Sequence, residues 1–263
     1  THTTTWGRCE PAIEGVNRNI VWASEGVGGS GKTHFGLTAP DPIAVLLFDP
    51  AGLKGLMSNP QFKTRDIRVI DYTKSYNIAK LKDLSDRAQA ARDTWAQFEE
   101  DWAVAMSGRF RTVLGDKEDH IWEMLRYANN QNFQAEPKSY YELNMIYKGL
   151  FAEAEANGIN FGVMRGMREK WGKTGVNFTT GRPTYGGLGY DVPRGQKEVA
   201  ELVQVNLSHR WDESDREFKV KILEKCRLGN AVELMGQEFG NFDFLTLALT
   251  LYPESDPSEW GVE

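Results

Sequence analysis

The chain has 263 residues, of which 40% are hydrophobic and 26% charged, and its formal net charge is −6. That length buries a substantial core, and the composition is that of an ordinary globular protein. The acidic balance excludes a uniformly basic nucleic-acid coat, although a local basic face stays open because the field a partner meets is local.

Cys9 and Cys226 are isolated, which excludes a disulfide framework and suits a reducing compartment. His2, His34, His120 and His209 are too scattered for metal-ligand spacing. No apolar run approaches the roughly 20 residues that span a bilayer, and the N-terminus lacks a signal-peptide core. These features predict a soluble, cytoplasmic protein with no membrane partner.

Residues 1–18, THTTTWGRCEPAIEGVNR, are polar and aperiodic and read as an N-terminal arm ahead of a single domain, 19–263. An apolar strand over Asn19–Ala23 runs into the glycine-rich SEGVGGSGKTHF, and a helix follows from Lys32 to about Thr38, ended by the prolines of PDP. IAVLLFD (Ile43–Asp49) is an unbroken apolar run, the pattern of a strand buried on both faces, and IRVIDY (Ile67–Tyr72) repeats it more weakly. From Ile78 to Ala105 apolar residues recur in steps of three and four, predicting a long amphipathic helix with Trp95 and Trp102 in the core. The acidic run Glu99–Asp101 reads as its solvated face.

FRTVLGD (Phe110–Asp116) predicts a short strand ending in an acid, followed by a helix over EDHIWEMLRYA, another over Tyr140–Ala156, and a strand at Gly158–Met164. Beyond Gly189, LVQVNLSHRW and REFKVKILEKC alternate apolar and polar residues around DESD, predicting an antiparallel hairpin at one sheet edge. A last helix falls near Phe242–Tyr252. The order of elements predicts an α/β fold with a mainly parallel sheet flanked by helices and a C-terminal antiparallel hairpin extension.

Gly26, Val27, Gly28, Gly29, Ser30, Gly31, Lys32 and Thr33 match G-x-x-x-x-G-K-[ST] between a strand and a helix. Glycines there let successive N–H groups point inward around a phosphate chain, and the helix N-terminus adds partial positive charge. Lys32 would reach the β- and γ-phosphates of ATP, and the Thr33 hydroxyl would bind Mg²⁺. His34 borders the loop as a further nucleotide-side position, its plainer role being packing or capping. A second acid should end a neighbouring strand. Asp116 is the first choice, with N-capping of the next helix as its plainer role, and Asp71 is the rival.

On EGVGGSGKTHF, LLFDPAGL, FRTVLGDKEDHIWEMLRYA and the helix–strand segment 140–164, the chain resembles the RecA-like P-loop ATPases, most of all the small phage ATPases linked to single-strand annealing and recombination. The resemblance implies a Mg²⁺-dependent ATPase that self-associates into a ring or filament and binds single-stranded DNA. It implies catalytic roles for Lys32 and Asp116. In relatives an acid, a linker residue and a water-activating glutamate end the strand before PAGL. Here Asp49 is followed by Pro50 and Ala51, so that glutamate is absent. Glu118, Asp119 and Asp49 are the replacements at hand, with Glu118 taken as the catalytic one, and slow turnover is expected.

Residues 165–197 read as a mobile basic and aromatic loop. Lys170, Lys173, Arg182 and Arg194 alternate with Trp171, Phe178, Tyr185 and Tyr190, the mixture that follows a phosphate backbone and stacks on bases. Lys170, Trp171, Lys173, Arg182, Tyr185 and Arg194 are the expected DNA contacts, against the plainer readings of a surface loop, a hairpin or a subunit contact. Arg165 and Arg168, just after a strand, are placed to sense the γ-phosphate or to act as a finger toward a neighbouring subunit. Two other readings stay open: a small-molecule kinase, with this segment as an arginine-rich lid, and a nucleotide-bound accessory protein without turnover, which the glutamate missing after Asp49 suggests.

Overall fold

The computed structural model describes residues 18–75, 80–129, 137–176, 179–180, 182–223 and 229–261. Residues 1–17 of the expected arm (1–18), with Cys9 among them, and Cys226, Ile78 and Phe178 lie outside the described residues. In chain order the elements are β1 (Val21–Glu25), α1 (Lys32–Gly36), β2 (Ile43–Leu47), α2 (Pro50–Leu56), α3 (Pro60–Lys63), β3 (Ile67–Asp71), α4 (Leu84–Val104), β4 (Thr112–Asp116), α5 (Glu118–Ala128), α6 (Pro137–Ala156), β5 (Asn160–Arg165), β6 (Met167–Val176), β7 (Pro183–Pro193), α7 (Val199–Leu202), β8 (Val205–Asp212), β9 (Glu217–Ile222), β10 (Glu238–Gly240) and α8 (Phe244–Leu251).

Eight strands form one sheet in the order β10-β9-β8-β1-β5-β4-β2-β3. Pairings from β8 through β3 are parallel, and β9 and β10 add antiparallel at the far edge. Every residue of β1, β2, β4 and β5 is buried, as unbroken apolar runs covered on both faces require. β3 is an edge strand and is largely exposed, which explains its weaker apolar pattern.

Alternation along the strands divides the core. Val21, Ala23, Val113 and Phe161 face one layer with Trp95, Phe98 and Trp102 of α4, Leu125 of α5 and Phe151 of α6. Trp22, Val45 and Leu114 face the other, with Phe35 of α1, Phe62 of α3 and Phe244 of α8. Trp95 and Trp102 are therefore core residues, as their helical spacing predicts. Helix α4 starts at Leu84, later than Ile78, because Asp83 takes an extended N-cap conformation. Helix α8 starts where the Asp243 side chain accepts the Thr246 amide at 2.8 Å.

Two expectations change. β4 is not beside β1, since β5 lies between them. Residues 167–193 are not an irregular loop: β6 and β7 form a separate two-stranded antiparallel ribbon, from Met167 opposite Pro193 to Val176 opposite Pro183. Its strands were hard to see because polar residues and glycines on both faces leave no apolar alternation.

Candidate functional site

β1 runs directly into the glycine loop, and α1 carries Lys32 and Thr33 back across the sheet ends. Gly31 is the N-cap of α1 with φ near 95°, and a Cβ there would meet the Phe218 ring at 2.8 Å. Backbone freedom and close approach both require glycine at that position. α1 has only five residues, so its dipole is small; loop amides and the Lys32 ammonium supply the positive character of the site.

Lys32 is nearly buried, and its Nζ donates to the carbonyls of Gly26 at 2.8 Å and Val27 at 2.7 Å and to Ser30 Oγ at 3.3 Å. Thr33 Oγ1 donates to Asp116 Oδ2 at 2.9 Å, joining α1 to the end of β4 across the intervening β5. Burial lowers the Lys32 pKa and raises that of Asp116. Each charged form therefore lacks full compensation, which a polyanion at Lys32 and a cation at Asp116 would supply. A hard dication takes oxygen donors, and Thr33 and Asp116 offer two at adjoining positions. Among the described residues no cluster of three or more His, Cys, Asp or Glu side chains could hold a metal by itself. A divalent ion here would need oxygens from a ligand or water.

Asp71 drops out as a rival to Asp116. It sits exposed at the end of the edge strand, accepting the amide and hydroxyl of Thr73 at 2.9 and 2.5 Å. His34 is wedged between Phe62 and Phe218, with ring centroids 5.2 and 6.1 Å away, so it packs against the flank of the loop and does not line it. Burial lowers its pKa.

The three acids proposed for water activation divide sharply. Asp49 pairs with Lys117 at 2.5 Å. Glu118 is wholly buried: Oε1 accepts the Tyr147 hydroxyl at 2.7 Å and the Gln196 amide at 3.0 Å, and Oε2 lies 3.4 Å from Arg165 Nε. Burial pushes the Glu118 carboxyl up to about 7 against the pull of Arg165. A carboxylate with no exposed surface holds neighbouring groups in place rather than facing a water at the loop. The expected catalytic Glu118 is corrected to a positioning residue. Asp119, next along α5, is 6% exposed, and its Oδ1 has no hydrogen-bond partner. It is close enough to Lys32 to act on its charge.

Arg165 is also corrected. It is buried, paired with Glu118 and 3.9 Å from Glu25, and its Nη2 donates to the carbonyls of Arg194 at 2.9 Å and Gln196 at 2.8 Å. It fastens both legs of the ribbon to the start of α5, so it is not free to reach a neighbouring subunit. Gly195, at φ 84°, lets the chain pass over Glu118, where a Cβ would overlap the carboxylate. Arg194 turns its Nε to the Met167 carbonyl at 3.1 Å, bracing the ribbon base. Lys170, Trp171, Lys173, Arg182 and Tyr185 are all exposed along the ribbon.

Sequence reasoning missed two groups. Trp211 and Phe218 are cross-strand partners on β8 and β9, with ring centroids 4.9 Å apart. Phe218 abuts Gly31, and Trp211, 45% exposed, extends this aromatic ledge past the loop. His209, two residues before Trp211, is buried with Nε2 2.9 Å from Ser24 Oγ, and burial lowers its pKa to about 3. Their alternation on a hairpin was visible; their position beside the loop depended on β8 pairing with β1.

No family model matches this sequence, and comparison with curated proteins found no match. Among the described residues no helix is long and apolar enough to cross a membrane.

Proposed function

We propose that this chain is a RecA-like P-loop ATPase that binds Mg-ATP in the glycine loop and single-stranded DNA on the β6–β7 ribbon, working as a ring or filament in phage-type recombination, annealing or replication. One observation carries the reading: the Lys32 ammonium is held by loop carbonyls beside a Thr33–Asp116 pair 2.9 Å apart. That is the donor set a triphosphate and dication site needs.

On binding, Lys32 exchanges its carbonyl contacts for the β- and γ-phosphates, and loop amides surround the chain. Thr33 and Asp116 would hold Mg²⁺, which when bound would offset charge on the triphosphate. The Trp211–Phe218 ledge receives the base. Asp119 orients the attacking water, whose oxygen bonds to the γ-phosphorus as the bridging oxygen leaves with ADP, and the water's proton passes to the released phosphate. Asp119 stands in for the glutamate missing after Asp49, so turnover is slow. Glu118 and Arg165 tie α5 to the ribbon base, a physical route by which nucleotide and DNA affect each other.

ATPase activity with and without a single-stranded oligonucleotide tests the reading. Slow phosphate release that the oligonucleotide stimulates, and that Lys32→Ala abolishes, is the expected result. Phosphate transferred to a small acceptor would show a kinase instead. Strong ATP-dependent stabilisation without turnover would show an accessory protein that only holds nucleotide.

A further inference from the structure

A cavity of about 820 Å³ lies between the ribbon and the face of β8 and β9, on the opposite side of the sheet from α1. Arg168, Lys170 and Trp171 from β6, Lys197 ahead of α7 and Lys221 from β9 line it. These four cations come from three parts of the chain. None of the described residues forms an ion pair with them, although other cations of the β8–β9 hairpin are neutralised. Arg210 is paired with Asp212 and Glu238, and Lys219 with Asp215 and Glu217. The two acids at the cavity are already engaged: Glu169 accepts the Gly189 amide at 3.3 Å, and Glu25 faces Arg165 at 3.9 Å. On the floor, Asn206 is buried and its Oδ1 has no partner.

Unpaired cations from separate elements, converging around an exposed indole and a free acceptor, are the chemistry of a polyanion carrying flat aromatic groups. We infer that single-stranded polynucleotide runs through this trough, its phosphates held by Arg168, Lys170, Lys197 and Lys221, with a base stacked on Trp171, and that the outer ribbon at Lys173, Arg182 and Tyr185 is not the main contact. Asn206 Oδ1 accepts from an exocyclic amine. The inference rests on the DNA-binding reading above and moves its site inward, to Glu25, the residue that precedes Gly26 and the glycine loop.

Labelled single-stranded oligonucleotide, followed by fluorescence anisotropy against the full chain over a salt series, tests it. Lys197→Glu and Lys221→Glu, both at exposed positions, should each weaken binding at least tenfold and lower the log–log salt slope by about 0.7 per lost contact. Lys173→Glu and Arg182→Glu should change affinity less than about threefold, and oligonucleotide should quench tryptophan fluorescence in the wild type markedly more than in Trp171→Phe. The opposite ranking, with the outer reversals dominant, would overturn the trough while leaving DNA binding intact. Trough reversals that alter sedimentation but not oligonucleotide affinity would also overturn it, by making the trough a seat for a second copy. No oligonucleotide binding by the wild type would remove the DNA reading and the trough together, while ATP titration judges the glycine loop separately.

Discussion

The glycine loop and the β6–β7 ribbon handle charge in opposite ways. At the loop, Lys32 and Asp116 are buried, hydrogen-bonded and shifted from their ordinary pKa values by lost solvent. Along the ribbon, Lys170, Lys173 and Arg182 stand in water without ion pairs among the described residues. A site that grips one small polyanion concentrates its constraints in a few consecutive residues. A surface for a long flexible polyanion spreads them over elements far apart in sequence. The buried Glu118–Arg165–Gln196 anchor ties the base of the ribbon to the start of α5.

The predictions probe that contrast. Lys32→Ala should weaken ATP binding by more than about a hundredfold with the melting curve nearly unchanged, because the charge-assisted contacts to phosphate go while the core stays; calorimetry and thermal denaturation check it. An equal loss from Lys173→Ala on the ribbon would erase the contrast. Glu118→Ala should cost about 3–5 kcal/mol in denaturant unfolding, since Arg165 is left buried against the more distant Glu25. It should also open the ribbon to proteolysis, whereas Glu118→Gln, which keeps the shape and a Tyr147 acceptor, should lose less.

Trp211→Ala should weaken ATP about tenfold while leaving tripolyphosphate affinity unchanged, as expected of a residue that meets only the base. Equal losses for both ligands would place Trp211 in the support of the loop. A further effect concerns pH. The folded pKa of His209, about 3, lies below its ordinary 6.5, so its neutral form adds stability that is complete above about 6.5 and is lost as pH falls toward 3. By about pH 5 the loss should be about 2 kcal/mol, read as a falling melting temperature that His209→Gln flattens.

How much was legible in the sequence follows the same division. The glycine loop, the strand before it and Asp116 at a strand end were readable because the chemistry sits in contiguous residues and buried parallel strands are unbroken apolar runs. The insertion of β5 between β1 and β4 was not, since strand order is decided by crossovers that leave no local trace. Glu118 looked catalytic because it lies two residues from Asp116. Only the return of the chain at Gly195 and Gln196, nearly 80 positions on, shows that its carboxylate is already engaged. Lys221 was missed for the same reason: it belongs to a regular hairpin, and its cavity exists only because β6 lies across from it.

Titration of Mg-ATP into the full chain, watched by calorimetry, tests the central claim most directly. Saturable heat with one site per chain, absent in Lys32→Ala and reproduced by Mg-tripolyphosphate at reduced affinity, is the predicted result. No heat from the wild type, or equal heat from wild type and Lys32→Ala, would contradict it.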